Sequence, residues 1–558
     1  MTIIKKLTIA LFLIACLSNQ AITAEKKQAA IASAHPLATH AGFEILQQGG
    51  NAFDAAVAMS AALAVVEPAG SGLGGGGFWL LHRASDGFET MIDGREKAPS
   101  AADINMFVNQ QGEVIQGLSK DGVLSAGIPG LPAAIVHLSK KYGRLPLAQV
   151  LRPAIQYAQQ GFIIGERHRR LLGFRLAVLQ KNAQAAGIFL NNNKVPEPNS
   201  ILMQTDLANT LSQLAQFGRK GFYEGIIAER LITDVNKAGG IWTADDLKNY
   251  QVVEREPVRG EYKGIKITSA ALPSSGGIVM VEALNILSAY PLQKFDEITR
   301  KHVISEAMRR AYHDRAFYLG DSDFVEVPIN RLIDKNYAAG LRVGIRLDKA
   351  TPSHFLAGNV KKKNAGRDTT HFSIIDAEGN RVAATLSVNF PFGSGFVAAG
   401  TGVVLNDEMD DFVSKSGEMN GYGLVGGMAN AIEPNKRMLS SMSPTFIEDE
   451  SRVAVLGTPG GSRIISMVLL AILDFAEGHG PESWIMLPRF HHQYVPDLIQ
   501  YEKDGMTNDE IEALTRLGHK TKEIKYRYGN MQAIQFNKNT QQLTVASDPR
   551  GEGLALVK

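Results

Sequence analysis

Cysteine is all but absent from this sequence: of 558 residues, one is cysteine, Cys16. That excludes an internal disulfide framework, thiolate catalysis by the folded body and every cysteine metal site. A surplus of either charge is missing too, with 58 Lys and Arg against 56 Asp and Glu, so no whole-molecule field points to a nucleic-acid partner. The apolar run Leu7 to Leu17 is too short to span a bilayer. The glycine-rich string Ser71-Gly72-Leu73-Gly74-Gly75-Gly76-Gly77-Phe78 lacks the Gly-Lys-Ser/Thr of a phosphate loop. It reads instead as backbone packed too tightly for a Cβ. No Gly-x-Ser-x-Gly elbow occurs, which removes the α/β type of serine hydrolase. His491-His492 has no third histidine or carboxylate nearby in sequence, and adjacent strand residues point to opposite faces, so both are read as structural. No metal and no cofactor are expected.

What is present suits a large globular body. Hydrophobic residues make up 45% and charged residues 20%, and turn signals are spread evenly, which favours one interleaved unit over three or four domains. Lys5 and Lys6 before the apolar run, with Ala21 and Ala24 after it, predict a secretory signal over residues 1–24, hence an exported, periplasmic protein. Leu13-Ile14-Ala15-Cys16 also fits a lipidated cysteine, which would anchor the chain through Cys16. Ala41 to Val66 predicts buried helix broken at Gly49-Gly50, with Asn51 as a cap. Residues 150–350 read as mostly helical, and Arg167, Arg169, Arg170 and Arg175 as a solvated helix face. Thr370 to Ile375 and Arg381 to Val388 predict a hairpin, and Val453 to Leu456 a strand leading through Gly460-Gly461 into a helix. Helices in the first two thirds and strands in the last third suit an α/β protein with sheet layered between helices.

The charged run Lys361 to Arg367 ends at Asp368-Thr369, where strand begins. A linker meeting a strand accounts for this much. A cut before Thr369 would do more, because a free α-amine has a pKa near 7.7 to 8.0, far enough below a lysine's to act as general base at neutral pH. One residue would then supply both nucleophile and base.

Thr369-Thr370-His371-Phe372-Ser373, followed by Asp376, Gly379-Asn380 and Asn389, resembles the small-subunit start of γ-glutamyltranspeptidases, which are N-terminal-nucleophile hydrolases. Further strings in the same order extend the resemblance over nearly the whole chain after the signal: Asp93-Gly94-Arg95-Glu96-Lys97, Pro273-Ser274-Ser275-Gly276-Gly277, Asn406-Asp407-Glu408-Met409-Asp410-Asp411, Leu439-Ser440-Ser441-Met442, Gly460-Gly461-Ser462-Arg463 and Pro488-Arg489-Phe490-His491-His492. The resemblance implies a four-layer αββα sandwich, α+β in class, cut between Asp368 and Thr369. A large subunit (25–368) and a small subunit (369–558) would remain together as a heterodimer. It implies that Thr369 attacks γ-glutamyl amides, glutathione being the family's usual donor, and passes the acyl group to water, an amino acid or a dipeptide. Gly460 and Gly461 match the oxyanion hole, and Ser387 the position of a hydroxyl that bonds the nucleophile. Arg95, Ser440 and Ser441 match groups that hold the donor's α-carboxylate; Asn389, Glu408 and Asp411 match those that hold its α-ammonium. Lys415 to Met438 resembles a lid with Tyr422 as its gate, and Gly417, Gly421, Gly423, Gly426 and Gly427 would let it move. A cephalosporin or poly-γ-glutamate acylase on the same scaffold is the nearest alternative, and a non-catalytic binding homologue the more distant one.

Overall fold

Two antiparallel sheets form the middle of the protein, and each draws strands from both sides of Thr369. This computed structural model describes residues 28–356, 369–414 and 419–558. The signal segment, Cys16, the run Lys361 to Arg367, Asp368 and Gly417 lie outside the described residues. The main strands are β1 (Ala30–Ser33), β2 (Gly76–Arg83), β3 (Phe88–Gly94), β4 (Val253–Arg255), β5 (Val258–Tyr262), β6 (Ile265–Ser269), β7 (Thr370–Ile375), β8 (Arg381–Ser387), β9 (Thr445–Glu448), β10 (Arg452–Gly457), β11 (Gln532–Asn537), β12 (Leu543–Ser547) and β13 (Leu554–Val557). One sheet runs β13-β1-β7-β8-β2-β3-β4, the other β12-β11-β10-β9-β6-β5.

Period-two alternation decides which way these strands face. Ala30, Ala32, Phe78, Leu80 and Met91 enter the core shared with the second sheet, whereas Ile31, Trp79, Leu81, Ile92, Phe372 and Ile374 enter the other core. The latter is covered by α1 (Pro36–Gln47) and α2 (Ala52–Val66). Beyond the second sheet lie α4 (Gly276–Leu287), α5 (Glu297–Tyr318) and α6 (Ile464–Ala476), while α3 (Glu166–Leu179) packs at the side of the first core. Helix, sheet, sheet and helix therefore stack in four layers, an α+β sandwich.

Local signals placed several elements correctly. Asn51 caps α2 reciprocally with Asp54, and every residue of that helix is buried. The β7–β8 hairpin closes on Asp376, whose carboxylate accepts from the backbone N–H groups of Ala52, Glu378 and Asn380. The glycine run at the start of β2 is a close-packing device: a Cβ on Gly74 would lie 2.0 Å from the Val404 carbonyl oxygen, and one on Gly75 2.1 Å from that of Ser387. Gly75→Ala is therefore expected to cost about 1–3 kcal/mol and lower the thermal midpoint by a few degrees, read by calorimetry.

Residues 150–350 are mostly helical, as expected, with β4, β5 and β6 among the helices; strands are not confined to the last third, since six of the thirteen main strands precede Thr369. The arginine group is not a uniform solvated face. Arg175 is buried, donating to the Gly393 carbonyl at 2.7 Å and pairing with Asp121 at 2.9 Å. Arg167 pairs with Glu67 and Arg169 with Glu166, while Arg170 is exposed.

Candidate active site

Thr369 sits immediately before β7, a strand flanked by β1 and β8 inside the first sheet, and is 3% exposed. Around it the fold gathers residues far apart in sequence. Arg95, Thr369, Ser387, Asn389, Glu408, Asp411, Tyr422, Ser440, Ser441 and Gly461 all line one cavity, and Gly460 adjoins it through the chain.

Gly460 and Gly461 bridge β10 to α6. Their φ angles of 146° and 58° suit glycine, and among the described residues neither backbone N–H has an acceptor. Two successive donors without acceptors beside a buried cavity are of the kind that suits developing negative charge. Ser387, at the end of β8, accepts a hydrogen bond from the Asn389 N–H at 2.8 Å, which leaves its own proton to donate. Asn389 is held by its Nδ2, which donates to the Asp407 carbonyl, so its Oδ1 is the acceptor available to a cation.

Arg95, just past β3, is fully buried and carries three carboxylates. Its guanidinium lies 2.6 Å from Glu408, 2.6 Å from Asp411 and 3.6 Å from Glu96, and its Nε donates to the Met438 carbonyl. The carboxylate clamp expected from sequence is thus already engaged, by the residues expected to hold the ammonium. Two buried guanidiniums, Arg95 in contact and Arg315 further off, act on these buried acids. Burial lifts Glu96 well above the usual carboxylate range and raises Asp411, and it pushes Glu408 up to about 7 against the opposing pull of Arg95. Burial opposes the charge on Arg95, but Glu408, Asp411 and Glu96 outweigh it and raise its pKa. Glu408 Oε1 and both oxygens of Glu96 have no hydrogen-bond partner. These oxygens are the places where a donor group of a ligand can bond.

The serines are set to donate. Ser440 Oγ accepts from the Met442 N–H at 3.1 Å, and Ser441 Oγ accepts from Arg315 at 3.3 Å, leaving both hydroxyl protons for a ligand. Arg315 was not foreseen: it comes from α5, is buried, and also donates to Ser275 Oγ at 2.9 Å. Burial lowers its pKa to about 10. Glu96 was quoted in a motif without a role, and Asn420 was missed.

Over this stands the segment from Met419 to Val425, which is largely buried, while Met428 and Glu433 to Asn435 further along are exposed. The Tyr422 hydroxyl donates to the Asn389 carbonyl at 3.0 Å, and its ring lies so close to Gly461 that a Cβ there would sit 2.3 Å from it. Asn420 donates to Asp411, and the Gly421 N–H to Asp410. Gly421 and Gly426 are close-packing positions rather than hinges, facing Asp410 with Phe390 and Val413 respectively; Gly423 has a positive φ of 71°. Beneath this cover the cavity measures about 20 Å³, room for roughly one water.

His491 bonds Ser466 and Gln493, and His492 accepts from the Tyr494 N–H, so each has a structural partner. His302, Glu306 and His519 lie close enough to share an ion, but Glu306 is already paired with Arg309 and Arg310.

The sequence profile of the Gamma-glutamyltranspeptidase family matches residues 38–557. The chain belongs to that family. Among curated relatives of this transpeptidase, the glutathione hydrolase proenzyme of Pseudomonas sp. (strain A14) is 42% identical over 92% of this chain and 90% of its own. That of Escherichia coli (strain K12) is 41% identical over 94% and 90%. Among solved structures, a cephalosporin acylase from Bacillus halodurans superposes with a TM-score of 0.82 at 26% identity, covering 95% of this chain and 96% of its own.

Proposed function

We propose that this transpeptidase cuts its own chain before Thr369 and then transfers γ-glutamyl groups from glutathione and related amides through a γ-glutamyl ester on Thr369. In the first step the Thr369 hydroxyl attacks the Asp368 carbonyl and water resolves the ester, freeing the α-amine. In each turnover that amine takes the hydroxyl proton as Oγ bonds the γ-carbonyl carbon, and returns it to the departing nitrogen as the amide C–N bond breaks. Water or the amine of an amino acid or dipeptide then takes the acyl group. The Gly460 and Gly461 N–H groups hold the oxyanion. The pieces 25–368 and 369–558 stay together as a heterodimer. Export rests on residues 1–24; no helix among the described residues is long and apolar enough to cross a membrane.

The observation that carries this reading is the polar pattern beside Thr369: the buried Arg95 guanidinium shared among Glu408, Asp411 and Glu96, with two serine hydroxyls beside it and carboxylate oxygens of Glu408 and Glu96 that have no hydrogen-bond partner. An α-amino acid head group, anion and cation on one carbon, fits it by exchange of partners. Its ammonium takes over Glu408, Asp411 and Asn389 Oδ1, and its carboxylate takes the freed fork of Arg95 with Ser440 and Ser441. The cover bearing Tyr422 must lift first, since one water's space cannot admit it. The relation to a cephalosporin acylase keeps a non-glutamyl acyl group in contention. A comparison of γ-glutamyl anilide with glutaryl anilide, which lacks only the amino group, separates the two: the glutamyl reading expects at least a hundredfold preference for the first, and equal rates would overturn it.

Glu408 gives a further test. Its raised pKa means that the folded state holds a proton the unfolded chain has lost, so its contribution to stability falls as pH rises from about 4.5 to about 7. Glu408→Gln should therefore raise the thermal midpoint of the ligand-free protein at pH 8 and leave it nearly unchanged at pH 4.5. The KM for the donor should rise in the same variant. Scanning fluorimetry across that pH range decides the point.

A further inference from the structure

A glutamate stands where local rules disfavour one. Glu67 caps the C-terminal end of α2, the negative end of the helix dipole, and is 5% exposed. A carboxylate buried there is unfavourable unless specific partners hold its charge. Arg167, from α3, pairs with one of its oxygens at 2.6 Å, and the other oxygen accepts from the Thr370 hydroxyl at 2.5 Å. Arg167 is itself fixed, because its backbone N–H donates to Glu552 at 2.8 Å. His35 and His168 line the same small cavity, but burial lowers their pKa to about 4 and about 3, so at neutral pH the positive charge facing Glu67 is that of Arg167.

The contact falls beside the bond that the proposed cut would break. Thr370 is the first residue of β7, is fully buried and follows Thr369 directly. Within the sheet it pairs with Leu386 of β8, while the ladder to β1 ends at Phe372, so the start of β7 is held from one flank. The bond to Glu67 supplies a tie that the ladder does not. Gly70 makes room for it: a Cβ there would lie 3.3 Å from the Thr369 carbonyl oxygen and 3.4 Å from the Glu67 carboxyl carbon. Bare backbone at this point lets the carboxylate and the candidate nucleophile's own peptide group approach from two sides.

We propose that Glu67 is a positioning residue for the cut: held by Arg167, it ties down the Thr370 side chain at the start of β7 and so keeps the Thr369 hydroxyl oriented for attack on the carbonyl before it. The inference rests on the reading that Thr369 opens the chain. A hydroxyl donating to a carboxylate makes a strong and directional bond, which suits it to fixing a backbone position. After the cut the same bond restrains Thr369 as a new N-terminus, one residue away, whose hydroxyl and amine must keep their mutual geometry.

Full-length precursor made by cell-free synthesis allows the cut to be timed by intact mass. Thr370→Val removes the hydroxyl and keeps the shape, and Glu67→Ala removes the acceptor; each should slow the cut about tenfold or more. The two together should slow it no more than either alone, since they remove one interaction. Thr370→Ser keeps the hydroxyl and should cut at close to the native rate. Among molecules already cut, kcat for γ-glutamyl anilide should fall severalfold in Thr370→Val with KM unchanged, because neither side chain lines the cavity beside Thr369. Equal cutting rates for Thr370→Val and Thr370→Ser, or a change in KM alone, overturn the proposal. If the native precursor cuts and Thr370→Val keeps pace with it, the Glu67 assignment alone fails; a native precursor that never cuts sinks the Thr369 reading as well. Should Glu67→Ala misfold, Thr370→Val against Thr370→Ser decides, since both leave the Arg167 pair in place.

Discussion

Thr369→Ala is expected to remain one uncut chain and to lose about a millionfold in turnover, the scale on which removal of a catalytic nucleophile acts. Intact mass under denaturing conditions reads the first effect and anilide hydrolysis the second. Both follow from one oxygen atom, because in the proposed mechanism the same hydroxyl opens the chain and accepts the acyl group. The position is buried beside the unpaired Gly460 and Gly461 donors, so loss of Oγ cannot be covered by a neighbour from the described residues; Ser387 is held by the Asn389 N–H. Thr369→Ser separates chemistry from packing. It keeps the hydroxyl and the amine, so it should still cut and retain measurable transfer, though with a less constrained rotamer. Cleavage of the alanine variant at the same bond would refute self-processing.

Arg95→Ala should be the most damaging change away from the nucleophile. It strands Glu408, Asp411 and Glu96 without their shared cation, and breaking a buried pair on one side costs about 3–5 kcal/mol. It also removes the proposed anchor of the donor's carboxylate, where truncating a buried charge pair costs about 2–5 kcal/mol, roughly thirty- to several-thousandfold in kcat/KM. Arg95→Lys keeps the charge but not the fork, and should recover more stability than activity. Thermal midpoints of Arg95→Ala, Glu408→Gln and the double variant close a cycle. Since Glu408→Gln removes one of the stranded charges, the double variant should be less destabilised than the sum of the two; strict additivity would show that the pair does not interact.

Local chemistry was legible in the sequence, and partnership at long range was not. The cap at Asn51, the hairpin on Asp376 and the glycine packing of β2 each depend on neighbours a few residues away or on the absence of a Cβ. The residues around Thr369 were found by resemblance, and the fold brings them into one cavity. Their contacts were not readable: nothing in Asp93-Gly94-Arg95-Glu96 tells that the arginine's fork lies on residues 408 and 411. Arg175 misled because its charge pattern is that of a solvated face, while its burial depends on the Gly393 carbonyl and Asp121 arriving from elsewhere. Arg315 stands in a run of arginines on α5 whose members differ only in which way the helix turns them. Strands β4 and β5 escaped because Val-Glu-Arg and Val-Arg-Gly-Glu-Tyr are short and polar, as edge strands are.

The sharing of both sheets across Thr369 has a kinetic side. Before the cut, the precursor folds as one molecule, at a rate independent of its concentration. β1 lies between β13 and β7, and β6 pairs with β9, so after the proposed cut neither piece could leave without opening a sheet along its length. Once unfolded, however, the two pieces must find each other, and recovery becomes second order. The proposed processing would therefore turn a single-chain folder into an assembly that dilution does not take apart but that a single melting event in dilute solution largely destroys.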